Sequence, residues 1–465
     1  MIFKEKSDCM ISVIMPVYNA VKTIKRSVNS ILNQTYSDFE FIIINEALTN
    51  DGTTEILEQY AETDSRIRLI QKTNQKKGVA VSLNLGLDVA TGKYIARMDA
   101  DDYSYPERFQ KQLEYMESNP DVAICGTQMK VYNSSKFHYS EYYSNPEKNK
   151  AFALFDSPVS HPTVFIRRQF LIDNELRYDE ECLAEDYDLW IRVLKCGGRI
   201  GNLDKALLDY HNEGVSNVTS SGNIPFFQDV TRVKKNQLKD SLGIDIDYET
   251  EKILMPVQVD SFSENSADLI IRALDLMDRI EKENEEKKIY EPKALSEVMI
   301  NRWNMFIKKF YILNGIEDID SQANLDISLE KDTCKKDSFI GAVSEKIGVS
   351  EAELRNHILE NINSLKAKAN EINRVIVFGT GMVVKRYSSL LAKEIEVVAY
   401  SRNGCVDNEE FEGKRVIDPS EITSEEFDHI LIGSNVFYEE IKEQLINECG
   451  VAERHVLPIE ILKFR

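Results

Sequence analysis

Residues 79–102 read VAVSLNLGLDVATGKYIARMDADD, and this stretch decides the fold. Val79 to Val89 has a helical pattern, Tyr94-Ile95-Ala96-Arg97-Met98 reads as a strand, and the carboxylates Asp99, Asp101 and Asp102 follow it directly. Acidic groups at the C-terminal end of a parallel strand sit where open α/β sheets bind ligands. The same alternation extends outward. Strands are predicted over Ile11–Met15, Phe39–Ile44 and Ile67–Ile70, with helices over Val21–Leu32 and Thr54–Tyr60. Alternation of this kind predicts an α/β domain over residues 10–222, with a mostly parallel sheet flanked by helices.

The texture changes twice downstream. Residues 223–372 read as a helical connector, in which Leu269, Ile270, Ala273, Leu274, Met277 and Ile280 recur at helical spacing. The charge run 281–288 is a solvated helix end. Trp303, Phe306, Ile307 and Phe310 form an apolar face, and Ser350 with Glu353 predicts a capping box. Alternation returns over residues 373–465, a small Rossmann-like α/β domain. Its strands are Val375–Phe378, Glu396–Tyr400 and His429–Ile432, and its helices Val383–Ala392 and Tyr438–Glu448. Gly379-Thr380-Gly381 follows its first strand, but Val384 holds the third glycine position. A lone GxG is weak evidence for a nucleotide, so this unit is read as a structural or partner-binding module.

Composition narrows the function classes. Of 465 residues, 57 are basic and 78 acidic, a net charge of −21 that argues against nucleic acid as a partner. No apolar run reaches the ~18 residues that span a bilayer, and the N-terminus lacks the apolar core of a signal peptide, so a cytoplasmic protein is expected. The seven cysteines include no CxxC pair and read as reduced thiols.

Three clustered carboxylates repel one another unless a counter-charge is present, and hard oxygen ligands at one point suit a divalent cation that also holds phosphates. Four further motifs accompany the cluster: ISVIMPVYN (residues 11–19), Pro106-Glu107-Arg108-Phe109 with Gln112, His161-Pro162-Thr163-Val164-Phe165, and Ala184-Glu185-Asp186-Tyr187-Asp188-Leu189-Trp190. Together, over roughly residues 10–220, these resemble the family 2 glycosyltransferases, whose nucleotide-diphosphosugar-binding fold is called GT-A.

The resemblance implies a role for each position. Asp99 and Asp101 match the DxD motif, with Asp102 beside them, and would hold Mn²⁺ or Mg²⁺ against the diphosphate of a UDP-sugar. Glu185-Asp186 matches the ED motif, with Asp186 as general base in an inverting displacement. His211, opening His211-Asn212-Glu213-Gly214-Val215-Ser216, would lie near the metal or diphosphate. Pro16, Tyr18, Glu46, Asn84 and His161 fall at substrate-side positions. Trp190 either packs in the core or stacks on an acceptor sugar. The implied acceptor is a glycan, or a lipid- or protein-linked glycan, in bacterial surface polysaccharide or glycoconjugate synthesis. It would be reached by peripheral association with the inner membrane face, with the connector as a candidate homo-oligomer surface.

The match weakens after the second strand. Where the family carries an Asp-Asp-Gly-Ser turn, this chain has Asn45-Glu46-Ala47-Leu48-Thr49-Asn50-Asp51-Gly52-Thr53, one residue longer. Glu46 keeps an acidic group there, and Lys76 or Lys77 offers positive charge for the diphosphate. The altered turn leaves a second reading open, a related domain that binds without turnover. Nicotinamide chemistry in the C-terminal unit is a third.

Overall fold

The computed structural model describes residues 10–73, 78–133, 136–211, 224–247, 250, 251, 253, 266–314, 341, 344, 350, 352–354, 356, 360, 370–380, 384, 391, 395–406, 408–433 and 438–459. The chain divides into two compact units. One comprises residues up to Ile246 with Leu254–Val259 and Glu283–Val298, and the other comprises Asp247–Ile253, Asp260–Lys282 and Met299–Arg465.

The first unit is built on β1 (Ile11–Val17), β2 (Phe39–Asn45), β3 (Ile67–Gln71), β4 (Tyr94–Arg97), β5 (Tyr103–Ser104), β6 (Val122–Asn133), β7 (Lys136–Tyr139), β8 (Phe165–Arg167) and β9 (Arg199–His211). Among the described residues these form one sheet in the order β3-β2-β1-β4-β8-β6-β9-β5, with β7 paired to β6. The strands β3, β2, β1 and β4 are parallel, as expected. Beyond them the sheet is mixed: β8 runs antiparallel to β4 and β6, and β5 and β7 are antiparallel additions. The helices are α1 (Ile24–Leu32), α2 (Thr53–Thr63), α3 (Val79–Val89), α4 (Arg108–Ser118), α5 (Pro146–Phe152), α6 (Arg168–Asp173), α7 (Glu185–Lys195) and α8 (Ile224–Leu242). The last of these, read as connector from the sequence, belongs to this unit.

Strand alternation sends successive side chains to opposite faces, so the sheet carries two cores. Ile14, Ile42, Ile44 and Ile95 join one cluster, while Val13, Met15, Phe41, Ile43, Tyr94 and Ala96 join the other. Two glycines permit the close packing that fixes α3 and β4 on β1. A Cβ at Gly86 would lie 2.5 Å from Ile14 Cγ2, and one at Gly92 2.5 Å from the Ser12 backbone nitrogen. The Ser12 hydroxyl, accepting from the Gly92 N–H (2.8 Å) and donating to Glu40 (2.6 Å), locks that turn. The acidic cluster is thereby held at the C-terminal end of the sheet.

In the second unit, β10 (Arg374–Phe378), β11 (Glu396–Ser401), β12 (Glu410–Phe411), β13 (Lys414–Ile417), β14 (His429–Ile432) and β15 (Val456–Pro458) form a sheet ordered β12-β13-β11-β10-β14-β15. Its core contains Ile376, Phe378, Ala399, Ile430, Ile432 and Leu445. The chain reverses strand order beside β10, where Gly379 has φ 114°. Gly381, Asp407 and most of the helix expected over Val383–Ala392 lie outside the described residues. Elsewhere, helices span Ser266–Lys287 and Pro292–Asn314, with Trp303 fully buried. The side chains of Phe306, Ile307 and Phe310 lie outside the description. Glu353 reaches back to the Ser350 N–H (3.2 Å) as a capping box predicts, but the Ser350 hydroxyl donates to the same carboxylate (2.6 Å) and the Glu353 N–H bonds the Ser350 carbonyl (3.0 Å), so only that half of the box forms.

Candidate active site

The turn after β4 brings one carboxylate oxygen from each of Asp99, Asp101 and Asp102 within 4.8 Å of the others. The backbone here is pinned from α1: Arg26 donates to the Asp101 carbonyl, and the Ser27 hydroxyl to that of Asp102 at 2.7 Å. The three acids differ in environment. Asp99 is gripped by the Arg97 guanidinium through both oxygens, at 2.6 and 2.7 Å. Burial and the neighbouring Asp99 charge push Asp101 up to about 6. Asp102 is fully buried, and burial, then Asp99 and Asp101, raise it well above the carboxylate range. Its Oδ1 accepts from the His211 backbone N–H at 3.1 Å, while its buried Oδ2 has no hydrogen-bond partner. An orphaned buried oxygen beside a second acid of raised pKa is the donor set that a hard divalent cation satisfies, so these residues fit Mn²⁺ or Mg²⁺.

The second acidic pair opens α7. Glu185 is buried, and burial followed by the Asp186 charge pushes it up to about 8. Asp186 retains 26% side-chain exposure, accepts from the Tyr187 N–H at 2.7 Å, and is raised by burial. His161 lies 3.8 Å from each of these carboxylates and is joined through Nε2 to the Tyr178 hydroxyl at 3.0 Å. Burial, aided by the charge of Arg97, keeps its imidazole neutral.

Arg97 links the two acidic groups. Burial alone would lower its pKa, but Asp99, Tyr178, Glu185 and Asp186 together hold it above the ordinary value. Beneath it, buried Arg108 donates to the carbonyls of Arg97 (2.8 Å) and Pro162 (3.1 Å), tying the β4 turn to the His161–Thr163 turn. Burial pulls Arg108 down to about 9. Gln112 reinforces the same junction through the Thr163 carbonyl at 2.8 Å.

The ends of β1 and β2 supply the third wall. Glu46 accepts from the Ser82 hydroxyl and from Lys72 Nζ at 2.8 Å, Lys72 itself being buried. The altered turn keeps a working closure: Asp51 accepts from the N–H groups of Val21 (3.0 Å) and Thr53 (3.1 Å), and Asn19 from that of Asn50 (3.0 Å). Pro16 lies in register with Ile44, and Tyr18 is exposed just beyond β1.

The structure places three of the expected substrate-side residues in other contacts. Trp190 is fully buried in the core, edge-on to His161 at 5.7 Å, the packing alternative of the two readings, and it buttresses that ring. Asn84 is spent on the backbone of Tyr178, donating to its carbonyl and accepting from its N–H at 3.0 Å each. The His211 ring stacks on Tyr132 (4.8 Å, 2° between planes), and what reaches Asp102 is its main chain. Residues 212–216 of the His211 motif, with Lys76 and Lys77, lie outside the described residues. Sequence reasoning missed Arg97, Lys72 and Tyr178. An arginine within an otherwise apolar buried strand was a readable signal, whereas Tyr178 offered none.

The Glu185 environment makes a prediction independent of substrate. A carboxyl whose folded pKa is raised contributes stability that is complete below its ordinary pKa, 4.5, and is lost as pH rises through about 8. Glu185→Gln is permanently neutral. Its melting temperature is expected to match wild type near pH 5 and exceed it at pH 9. Parallel melting curves across that range would refute the burial argument.

Among the described residues, no helix is long and apolar enough to cross a membrane. The Glycosyl transferase family 2 model matches residues 12–175, and a C2185-like, N-terminal model matches residues 371–457. An uncharacterized glycosyltransferase of Methanocaldococcus jannaschii is 31% identical over 246 residues, covering 50% of this chain and 78% of that one. The O-antigen biosynthesis glycosyltransferase WbnJ of Escherichia coli is 36% identical over 209 residues, covering 44% and 81%. The crystal structure of S. aureus TarS 1–349 in complex with UDP-GlcNAc has 18% identity and a TM-score of 0.44, covering 65% of this chain and 90% of that one. The matched region carries the acidic turn, the His161 turn and the GT-A sheet, and on this similarity the chain belongs to glycosyltransferase family 2.

Proposed function

We propose that this glycosyltransferase uses a nucleoside-diphosphate sugar, UDP-linked in the first instance, and transfers the sugar with inversion to a hydroxyl of a glycan acceptor. The observation that carries the reading is the partnerless buried Oδ2 of Asp102 beside Asp101, close in the chain to the Arg97 that also feels Asp186. Asp101 and Asp102 would hold Mn²⁺ or Mg²⁺, with Asp99 the ordered neighbour. When bound, the cation supplies Lewis-acid neutralisation of the leaving diphosphate. Glu46, held by Lys72 and Ser82, and buried Asn45, whose Oδ1 has no hydrogen-bond partner, offer acceptors for a nucleotide base.

Asp186 takes the proton from the acceptor hydroxyl as that oxygen attacks the anomeric carbon. Its raised pKa brings it closer to neutrality, where a general base is most effective. Neutral His161, fixed by Tyr178 and Trp190, orients the carboxylate pair. Similarity to an O-antigen relative supports a surface-polysaccharide acceptor, reached by a cytoplasmic enzyme at the membrane face.

Calorimetric titration of UDP-, GDP- and dTDP-sugars, with and without Mn²⁺, tests the donor. One nucleotide is expected to bind only with the cation, and Asp102→Asn is expected to weaken Mn²⁺ binding by about tenfold or more. Equal binding without metal, or no effect of Asp102→Asn, would overturn the assignment.

A further inference from the structure

The open face of β5, β9, β6 and β7, in which β6 and β9 run parallel and β5 and β7 are antiparallel, is aromatic, where water-facing strands are ordinarily polar. Across β7 and β6, Tyr139 stands opposite Lys130 and Phe137 opposite Tyr132. Across β6 and β9, Lys130 stands opposite Asp209 and Tyr132 opposite His211, while Asp209 in turn faces Tyr103 of β5. Opposed residues share a face. Two rows therefore cross the sheet, Tyr139–Lys130–Asp209–Tyr103 and Phe137–Tyr132–His211. The intervening residues Met129, Val131, Leu208 and Tyr210 point to the core on the other side.

The rings are mutually braced. Phe137 meets Tyr139 edge-on at 5.8 Å, Lys130 Nζ lies 3.9 Å from the Phe137 centroid, and the Tyr105 hydroxyl is bonded to Asp209 at 3.0 Å. Yet Phe137 and Tyr139 remain 51% and 58% exposed. Both rows lead to the acidic turn: Tyr103 follows Asp102 in the chain, and the His211 N–H holds the Asp102 carboxylate.

We infer that this face is an acceptor subsite and that its ligand is a saccharide chain. A pyranose presents an apolar C–H face and a rim of hydroxyls. Rigid aromatic rings take the face at little entropic cost, and the interleaved Asp209, Lys130 and Tyr105 groups take the rim. An anionic membrane is a poor occupant for a chain of net charge −21. A second copy of the chain would have to bury Asp209 and Lys130 with the rings. Continuity with the acidic turn matches what the transfer reaction needs, an acceptor led toward the donor. The inference rests on the donor site proposed above.

The test is saturation-transfer NMR of uncharged di- to tetrasaccharides against the full chain with UDP and Mn²⁺. Wild type is expected to saturate the C–H protons of one or more saccharides. Phe137→Ala with Tyr139→Ala, both exposed and so tolerable to the fold, is expected to raise the saccharide Kd about tenfold. Ile172→Ala, an exposed apolar residue elsewhere, is the control. No saccharide binding by wild type, or equal binding by the double variant, overturns the inference. So does sedimentation showing a wild-type dimer that the double variant dissociates, or flotation on phosphatidylglycerol vesicles that depends on the two rings. UDP titration of the same samples separates the failures: without UDP binding the donor site falls, whereas intact UDP binding with no saccharide contact removes only the subsite.

Discussion

Asp186→Asn is expected to leave nucleotide-sugar affinity within about twofold and to lower transfer by about a thousandfold, the middle of the range for loss of a general base. Two adjacent carboxylates compete for this role, and their environments separate them. Glu185, pushed up to about 8, holds its proton at neutral pH and cannot accept another. Asp186 keeps a quarter of its side chain exposed, and the Tyr187 N–H and the Arg97 charge oppose the rise that burial causes, which makes it the member suited to accept a proton. Asparagine preserves shape while removing the charge and the basic oxygen, and Asp186 lies outside the proposed donor ligands, so a large donor-binding defect should not accompany the kinetic one. Steady-state rates with a fixed donor, beside donor calorimetry, check the split. The reverse pattern, with Glu185→Gln inactive and Asp186→Asn near wild type, would exchange the two roles.

Much of this was legible before any coordinates, for reasons particular residues make plain. The helix over Val79–Val89 and the strand over His429–Ile432 coincide with the pattern because both lie between strong breaks and bury a continuous apolar face. The parallel half of the sheet followed from strand–helix alternation. The mixed half did not, because the antiparallel β8 is three residues long and β5 two, too short to show any period. The acidic positions were found because carboxylates after a strand are conspicuous. Arg97 was readable as an arginine in an apolar strand beside them, whereas Lys72 and Tyr178 reach Glu46 and His161 from different elements through tertiary contacts. His211 shows the limit in the other direction. The sequence brings its main chain to Asp102, but the Tyr132 ring from β6 determines where its imidazole lies.

Arg97→Met is expected to cost about 3 kcal/mol of stability and to move the acid limb of the pH–rate profile upward. The first figure is the low end for breaking a buried ion pair, because Asp99 keeps 24% of its side chain exposed and can be partly hydrated when its partner is removed. The second follows from the sign of the Arg97 charge. That charge lowers the pKa of Asp186, opposing the rise caused by burial. Without it Asp186 holds its proton to higher pH, and the fraction of competent base at neutral pH falls. Arg97→Lys separates charge from geometry. A lysine retains the positive charge and so should keep the acid limb near its wild-type position. It cannot reproduce the two-pronged grip on Asp99, so donor KM should rise while the pH profile stays in place. If the methionine variant melts as wild type and its profile does not move, Arg97 is a bystander, and the coupling between the two acidic groups must run through another path.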